Sequence, residues 1–328
     1  MFDCSSEITS FHDEKVTLPE EVRKKLRKHR QANQDRLTAR LKENEDPIPF
    51  DFVQQGSYAM HTMTQHPEND YDIDDGALFR REDLGDSKTP RAAKEMVCDA
   101  LQDERFDKQP EIHTNCVRVY YAEGHHVDIP VYRTKEDGSG YELASTDWKH
   151  SDPEGVTKWF KNSTKAKSDG GTQMRQLVRL LKKFAKSRDS WNMPSGLIIT
   201  VLVKERYSTV VTRLDEALYN VMSSIKQRLD FDKSIRHPVV DESLSDKCKS
   251  AVEELNERLE WALEELSVLK DADCTRLKAL KAWKKVLNTD FFNSMIDEES
   301  QRAAVKSFYV SSGTPSEPVD KVGGGRAG

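Results

Sequence analysis

A chain of 328 residues exceeds the usual single-domain size, so two packed domains or one enlarged α/β enzyme core are expected, and a mini-protein held by disulfides is excluded. With 36% hydrophobic and 33% charged residues, and only 15 Gly and 12 Pro, the composition is that of a globular, helix-rich protein with a highly charged surface. The 51 Lys and Arg against 57 Asp and Glu, a net charge of −6, argue against a chain whose main task is gripping a nucleic-acid backbone, although a local basic groove stays open.

The N-terminus opens with Phe2-Asp3-Cys4-Ser5 and has neither a basic n-region nor an apolar h-region. No run of about 18 apolar residues follows, so no membrane partner is expected and a cytoplasmic location is. The five cysteines (Cys4, Cys98, Cys116, Cys248, Cys274) are scattered without a C-x-x-C pair and read as reduced thiols. Pro19-Glu20-Glu21 starts a long amphipathic helix over 19–43, with Val22, Leu26, Leu37 and Leu41 at helical spacing. Asp46-Pro47-Ile48-Pro49 breaks it, Phe50 to Gln54 reads as a short strand running into Gly56-Ser57, and Tyr71 to Asp74 reads as another strand. A helix is expected over Arg91 to Leu101. Cys116 to Tyr121 and His126 to Tyr132, joined by Ala122-Glu123-Gly124, form a hairpin signal. Ser168 to Gly171 reads as a link, a hinge at most, and Gln173 to Lys186 as a helix closed off by Pro194-Ser195-Gly196. A second buried segment begins at Leu197. Beyond about 210 the strand signals stop; Thr212 to Leu229 and Asp246 to Leu269 are helical, the latter read as a packed bundle helix over a coiled-coil partner face. Ser311 to Gly328 has almost nothing to bury and is expected to be a mobile tail.

The chemistry concentrates in three short stretches. Asp72 and Asp74, at i and i+2 of a strand, project from one face and can share one or two cations, while Ile73 points into the core. Asp128 sits in a second strand between apolar neighbours, where a lone carboxylate is costly, so a metal or a charge partner is expected beside it. Three carboxylates at the end of a sheet suit Mg²⁺, and two such ions can hold a triphosphate and activate an attacking hydroxyl. Gly56 lets the backbone approach phosphates, and Ser57 offers a hydroxyl and an amide. Each piece has a plain alternative, since a Gly-Ser pair is common and an Asp-x-Asp strand is often a solvated edge. His113, His125 and His126 lie nearby but lack metal-ligand spacing, so structural or surface roles are expected for them. Asp75 points to the opposite face and is expected to anchor the strand end.

The order of these pieces, with Gln55-Gly56-Ser57-Tyr58, Asp72-Ile73-Asp74-Asp75-Gly76, Thr114 to Val119 and His126 to Tyr132, resembles the polymerase-β-like nucleotidyltransferases. It is similar in particular to the bacterial cyclic-oligonucleotide synthases called CD-NTases, relatives of animal cyclic GMP-AMP synthase. Ser151-Asp152-Pro153 and Arg179 to Lys183 extend the likeness across roughly positions 15–300. The resemblance implies an α+β fold: a nucleotidyltransferase core with mixed sheet and long N-terminal helix (1–200), a helical lobe (201–310) and a flexible tail (311–328). It implies Mg²⁺-dependent joining of NTPs, ATP and GTP above all, into a cyclic oligonucleotide used in anti-phage signalling, with a purine dinucleotide such as cyclic GMP-AMP as the expected product. Asp72 and Asp74 would hold both metals and Asp128 the one that activates the attacking hydroxyl. Lys182 and Ser195 would reach the donor triphosphate beside Gly56 and Ser57, with Arg179 one turn from Lys182 on the same side; the plain alternative for Lys182 is a solvated helix face. Met60 stands where an aromatic ring stacks on the base in the Vibrio-type enzymes, so base contacts do not carry over. The family's ubiquitin-ligase-like partners imply conjugation at Gly328, at the end of a glycine-rich tail. A nucleotidyltransferase acting on RNA or protein, and a silent nucleotide-binding scaffold, are the competing readings.

Overall fold

Helix α2 (Glu20–Glu43) follows Pro19 as expected, with Glu20 and Glu21 in its first turn and Arg40 and Lys42 in its last, the charge order that a helix dipole favours. The computed structural model to which it belongs describes residues 1–66, 71–165, 167, 169 and 171–312, with 306–312 by backbone alone. Leu26, Leu37 and Leu41 of α2 are fully buried and lay the helix along the sheet.

That sheet is mixed. Strand β2 (Asp72–Phe79) is its axis, antiparallel to β1 (Asp51–Gln54) and parallel to both β5 (His126–Ile129) and β6 (Val131–Thr134). The sequence predicts one strand over His126 to Tyr132, but Pro130 divides it because proline has no N–H to give the ladder. The Pro130 carbonyl still accepts from Ala77 N at 2.8 Å, and the register against β2 continues unchanged on either side. Strands β3 (Glu111–Ile112) and β4 (Val117–Tyr120) extend the sheet from β5, and β7 (Tyr141–Ala144) and β8 (Trp148–Ser151) extend it from β6, all antiparallel. Short helices α3 (Gly56–Ala59) and α4 (Arg81–Leu84) flank β2. Helix α5 (Pro90–Leu101) covers the sheet with Ala93, Val97 and Leu101; Thr89 caps it by accepting from Ala92 N at 3.1 Å.

The helical half comprises α6 (Gly155–Lys165), α7 (Thr172–Ala185), α8 (Gly196–Arg206), α9 (Leu214–Phe231), α10 (Lys249–Glu265), α11 (Arg276–Leu287) and α12 (Asn293–Ser312). An N-terminal helix not read from the sequence, α1 (Ser5–Phe11), joins it and runs on as a π-helical turn over His12–Val16. Cys4 N donates to buried Asp215 Oδ2 at 2.8 Å, and the Phe11 ring packs on Phe291 and Phe292. Apolar packing does not divide at 200: one core unites Ile8 and Phe11, Phe160, Leu181, Leu202 and the helices after 210. The reason lies in α8, where Ile198, Ile199, Val201, Leu202 and Val203 are all buried, as expected of a helix that is apolar all round. In α10, Val252, Leu255, Leu259 and Ala262 are buried within this core, as a bundle helix requires. Asp169, in the expected hinge, accepts from Gly171 N and Gln173 N at 2.8 Å each and so anchors the start of α7, while Ser168 and Gly170 lie outside the described residues. The tail beyond Ser312, Gly328 included, also lies outside them.

Candidate active site

The period of β2 sets the site. Asp72 and Asp74 alternate with Ile73, which is wholly buried on the other face. Asp74 stands opposite Asp128 in the parallel β2–β5 register, so the third carboxylate joins the same face. Burial drives the Asp74 carboxyl up to about 7, with Asp72 and Asp128 adding to the rise and Arg118 opposing it. Asp128 is only 7% exposed, and Arg118, its cross-strand partner in β4, grips it with a fork. Arg118 Nε donates to Oδ1 at 2.7 Å and Nη2 to Oδ2 at 2.8 Å. The charge partner expected for Asp128 is therefore present.

The Gly56-Ser57 turn lies against Asp74. Gln55 N donates to the Asp74 carbonyl at 2.9 Å, and Gly56 adopts φ +64°, a left-handed conformation. A Cβ at Gly56 would collide with Asp74 Oδ2, so the glycine is what allows backbone and carboxylate to share this space. Tyr132 donates its hydroxyl to Gln55 Oε1 at 3.1 Å, while the buried Gln55 Nε2 finds no acceptor among the described residues.

Across the opening, Lys182 of α7 places Nζ 3.3 Å from both the carbonyl and the hydroxyl of Thr62. It lies in the wall of the cleft and not on a solvated helix face. Burial pushes its ammonium down to about 8; Asp72 pulls the other way, and Lys186 and Arg179 add to the fall. A side chain at Gly196 would come within 2.9 Å of Lys182 Cε, so the start of α8 is kept bare where the lysine passes. Ser195 caps α8, its hydroxyl accepting from Ile198 N at 3.5 Å, and faces the cleft. Arg179 does not share the cleft wall as expected. Its guanidinium donates to the His61 carbonyl at 2.7 Å and to His12 Nε2 at 3.0 Å, because the π-helical turn and the loop after α3 close over that side of α7. Asp75 points away from the pair and accepts from Gln34 Nε2 of α2 at 2.7 Å.

A cavity of about 990 Å³ unites Gly56, Ser57, Asp72, Asp74, Lys182 and Ser195, with Met60 also on its wall. Asp128 lies behind that wall, beside Asp74 and under Arg118. The sequence reading missed Arg118, Thr62 and Gln55 as participants. For Arg118 a signal existed, since pairing the hairpin across Ala122-Glu123-Gly124 sets it opposite Asp128.

Residues 50–132 match the family described as cyclic GMP-AMP synthase DncV-like, nucleotidyltransferase domain. That span contains Gly56, Ser57, Asp72, Asp74 and Asp128. The fold is similar to that of E. coli CdnC solved with ATP, at 18% identity over 88% of this chain and 98% of that one, with a TM-score of 0.69. It is similar to Vibrio cholerae DncV in complex with a linear intermediate, at 19% identity over 86% and 94% of the two chains and a TM-score of 0.70. The GTP complex of Bradyrhizobium diazoefficiens CdnG matches at 16% identity over 87% and 97%, with a TM-score of 0.68. The carboxylate-bearing segment, residues 50–132, thus matches a DncV-like nucleotidyltransferase domain, and the fold through both halves is similar to that of the bacterial CD-NTases CdnC and DncV.

Proposed function

We propose that this enzyme uses Mg²⁺ to join NTPs, ATP and GTP above all, and closes the product into a purine cyclic dinucleotide such as cyclic GMP-AMP. CD-NTases as a family make cyclic oligonucleotides from NTPs; the base, the metal and a role in cytoplasmic anti-phage signalling are the finer parts of the proposal. The observation that carries it is the gathering of Asp72, Asp74 and Asp128 on one face of the sheet, with Asp74 against the Gly56 turn. Oxygen donors carrying that much negative charge fit a hard divalent cation. Such ions would supply charge neutralisation at the triphosphate and a more acidic attacking hydroxyl.

The chain's own residues supply the rest. Gly56 and Ser57 present backbone and hydroxyl to the donor phosphates, Lys182 adds a positive charge from the opposite wall, and Ser195 a hydroxyl. Asp128, held in orientation by Arg118, takes the proton of the attacking ribose hydroxyl once one of its oxygens is released from the fork. A bond forms from that oxygen to the α-phosphorus, the bond to the β-phosphate oxygen breaks, and pyrophosphate leaves. In the closing step the free ribose hydroxyl of the last nucleotide attacks the α-phosphorus of the triphosphate that the first still carries, and a further pyrophosphate leaves. Conjugation of Gly328 by a ubiquitin-ligase-like partner is a further part of the proposal, resting on the glycine-rich tail Val322 to Gly328.

Purified enzyme incubated with Mg²⁺ and the four NTPs labelled at the α-phosphate, then treated with phosphatase, tests this. A small phosphatase-resistant product of cyclic dinucleotide mass is expected. Label on RNA or protein alone, or no turnover, would favour one of the competing readings.

A further inference from the structure

On the flank of the sheet, α2 crosses the turn that leads from β4 into the catalytic strand β5. His29 of α2 and His125 at the end of the turn bring Nδ1 and Nε2 to 2.5 Å. The Glu123 carboxylate joins them, the three ligand atoms all lying within 4.8 Å of one another. His125 is only 3% exposed, so its ring is fixed by its surroundings. His29 is fixed too: Tyr121 stacks on it with ring centroids 3.9 Å apart and planes 3° from parallel. The Tyr121 hydroxyl meanwhile donates to the His29 carbonyl at 3.2 Å and to Asn33 Oδ1 at 3.1 Å.

We propose that His29, Glu123 and His125 bind one transition-metal dication of the zinc type, which pins α2 to the turn entering β5. Two imidazoles and one carboxylate, with water as a fourth ligand, are a donor set that Zn²⁺, Co²⁺ or Ni²⁺ take in preference to Mg²⁺. Metal–nitrogen bonds of about 2.0–2.1 Å in a tetrahedron set the two nitrogens about 3.3 Å apart, so the rings need part by only about 0.8 Å. Both rings are ready as neutral ligands, since burial lowers the affinity of His29 for a proton and takes His125 down to about 4. Glu123 is held by Lys25, both side chains being nearly half exposed, and such a pair opens at little cost. The site is separate from the carboxylates that serve the reaction, but His125 precedes Asp128 in the same short segment, so a bound ion would stiffen the strand that carries it.

The test uses full-length enzyme stripped with a chelator and titrated with Co²⁺ in the presence of excess Mg²⁺ and without NTP. One equivalent of Co²⁺ should produce the intense visible bands of four-coordinate cobalt, and one equivalent of Zn²⁺ should bleach them. His29→Gln and Glu123→Gln, each checked for native circular dichroism, should each weaken the binding at least about tenfold. Asp74→Asn should leave the bands unchanged. Absence of bands in folded wild-type enzyme, bands that survive His29→Gln, or bands lost in Asp74→Asn would each overturn the proposal; the last would assign the cobalt to the reaction's own carboxylates.

Discussion

Replacing Gly56 by alanine separates what the fold needs from what the chemistry needs. At φ +64° an alanine costs about 1–2 kcal/mol for the left-handed backbone, and swinging the Asp74 side chain out of its rotamer adds about 0.5–1.5 kcal/mol, for a total of about 1.5–3.5 kcal/mol. Against the roughly 5–15 kcal/mol of a typical folded protein, such a loss leaves Gly56→Ala folded. The site fares worse. The group that must yield is Asp74 Oδ2 itself, and displacing a reacting constellation by about 1 Å costs on the order of a hundredfold in rate. Urea unfolding followed by circular dichroism should therefore show a modestly lowered midpoint, while pyrophosphate release from NTPs falls at least about a hundredfold. A Gly56→Ala enzyme that turned over at the wild-type rate would show that the contact between the turn and Asp74 has no part in the chemistry.

Asp74→Asn, and likewise Asp72→Asn, should abolish turnover with the circular dichroism spectrum intact, since what is lost is charge at the end of a formed strand; Asp128→Asn should also fail in turnover yet retain NTP binding in a filter assay. Lys182→Ala should raise KM more than it lowers kcat, as a charge on the triphosphate acts before and during the transition state alike. Because the Lys182 ammonium sits at about 8, wild-type KM should rise as pH passes upward through that value and lose this dependence in the alanine variant. Asp75→Asn should stabilise the protein at neutral pH. Unfolded chain loses the Asp75 proton near 3.8, whereas burial keeps it on the folded chain to about 6, so between those values the folded state binds more protons and stability falls as pH rises. At about 1.4 kcal/mol per pH unit this amounts to at most about 3 kcal/mol, visible as a flatter stability profile over that window in the asparagine variant.

The parts of the site that were legible in the sequence are those governed by local periodicity. Asp72 and Asp74 share a face because a strand repeats every two residues, and Lys182 emerges from a helix whose apolar stripe, Leu177, Val178 and Leu181, fixes its buried side. What stayed hidden depends on contacts between distant segments. Arg179 has the same helical credentials as Lys182, yet a backbone carbonyl at His61 and a ring at His12 claim it, and neither is foreseeable from the helix. Helix α1 escaped because seven residues are too few to show a period, and its apolar side finds Phe291 and Phe292 only once the far end of the chain returns. Pro130 lacks the N–H that a ladder needs, yet the strand around it was read as continuous. The hairpin signal around it concealed the split because the register continues across it.

Counting pyrophosphate against incorporated nucleotide shows whether the enzyme closes a ring. Ring closure consumes the remaining triphosphate, so one pyrophosphate should be released for every nucleotide in the product, and the product should carry no 5′ triphosphate. A ratio below one at completion, with product retaining a terminal triphosphate that phosphatase removes, would contradict ring closure by showing an enzyme that stops at a linear chain.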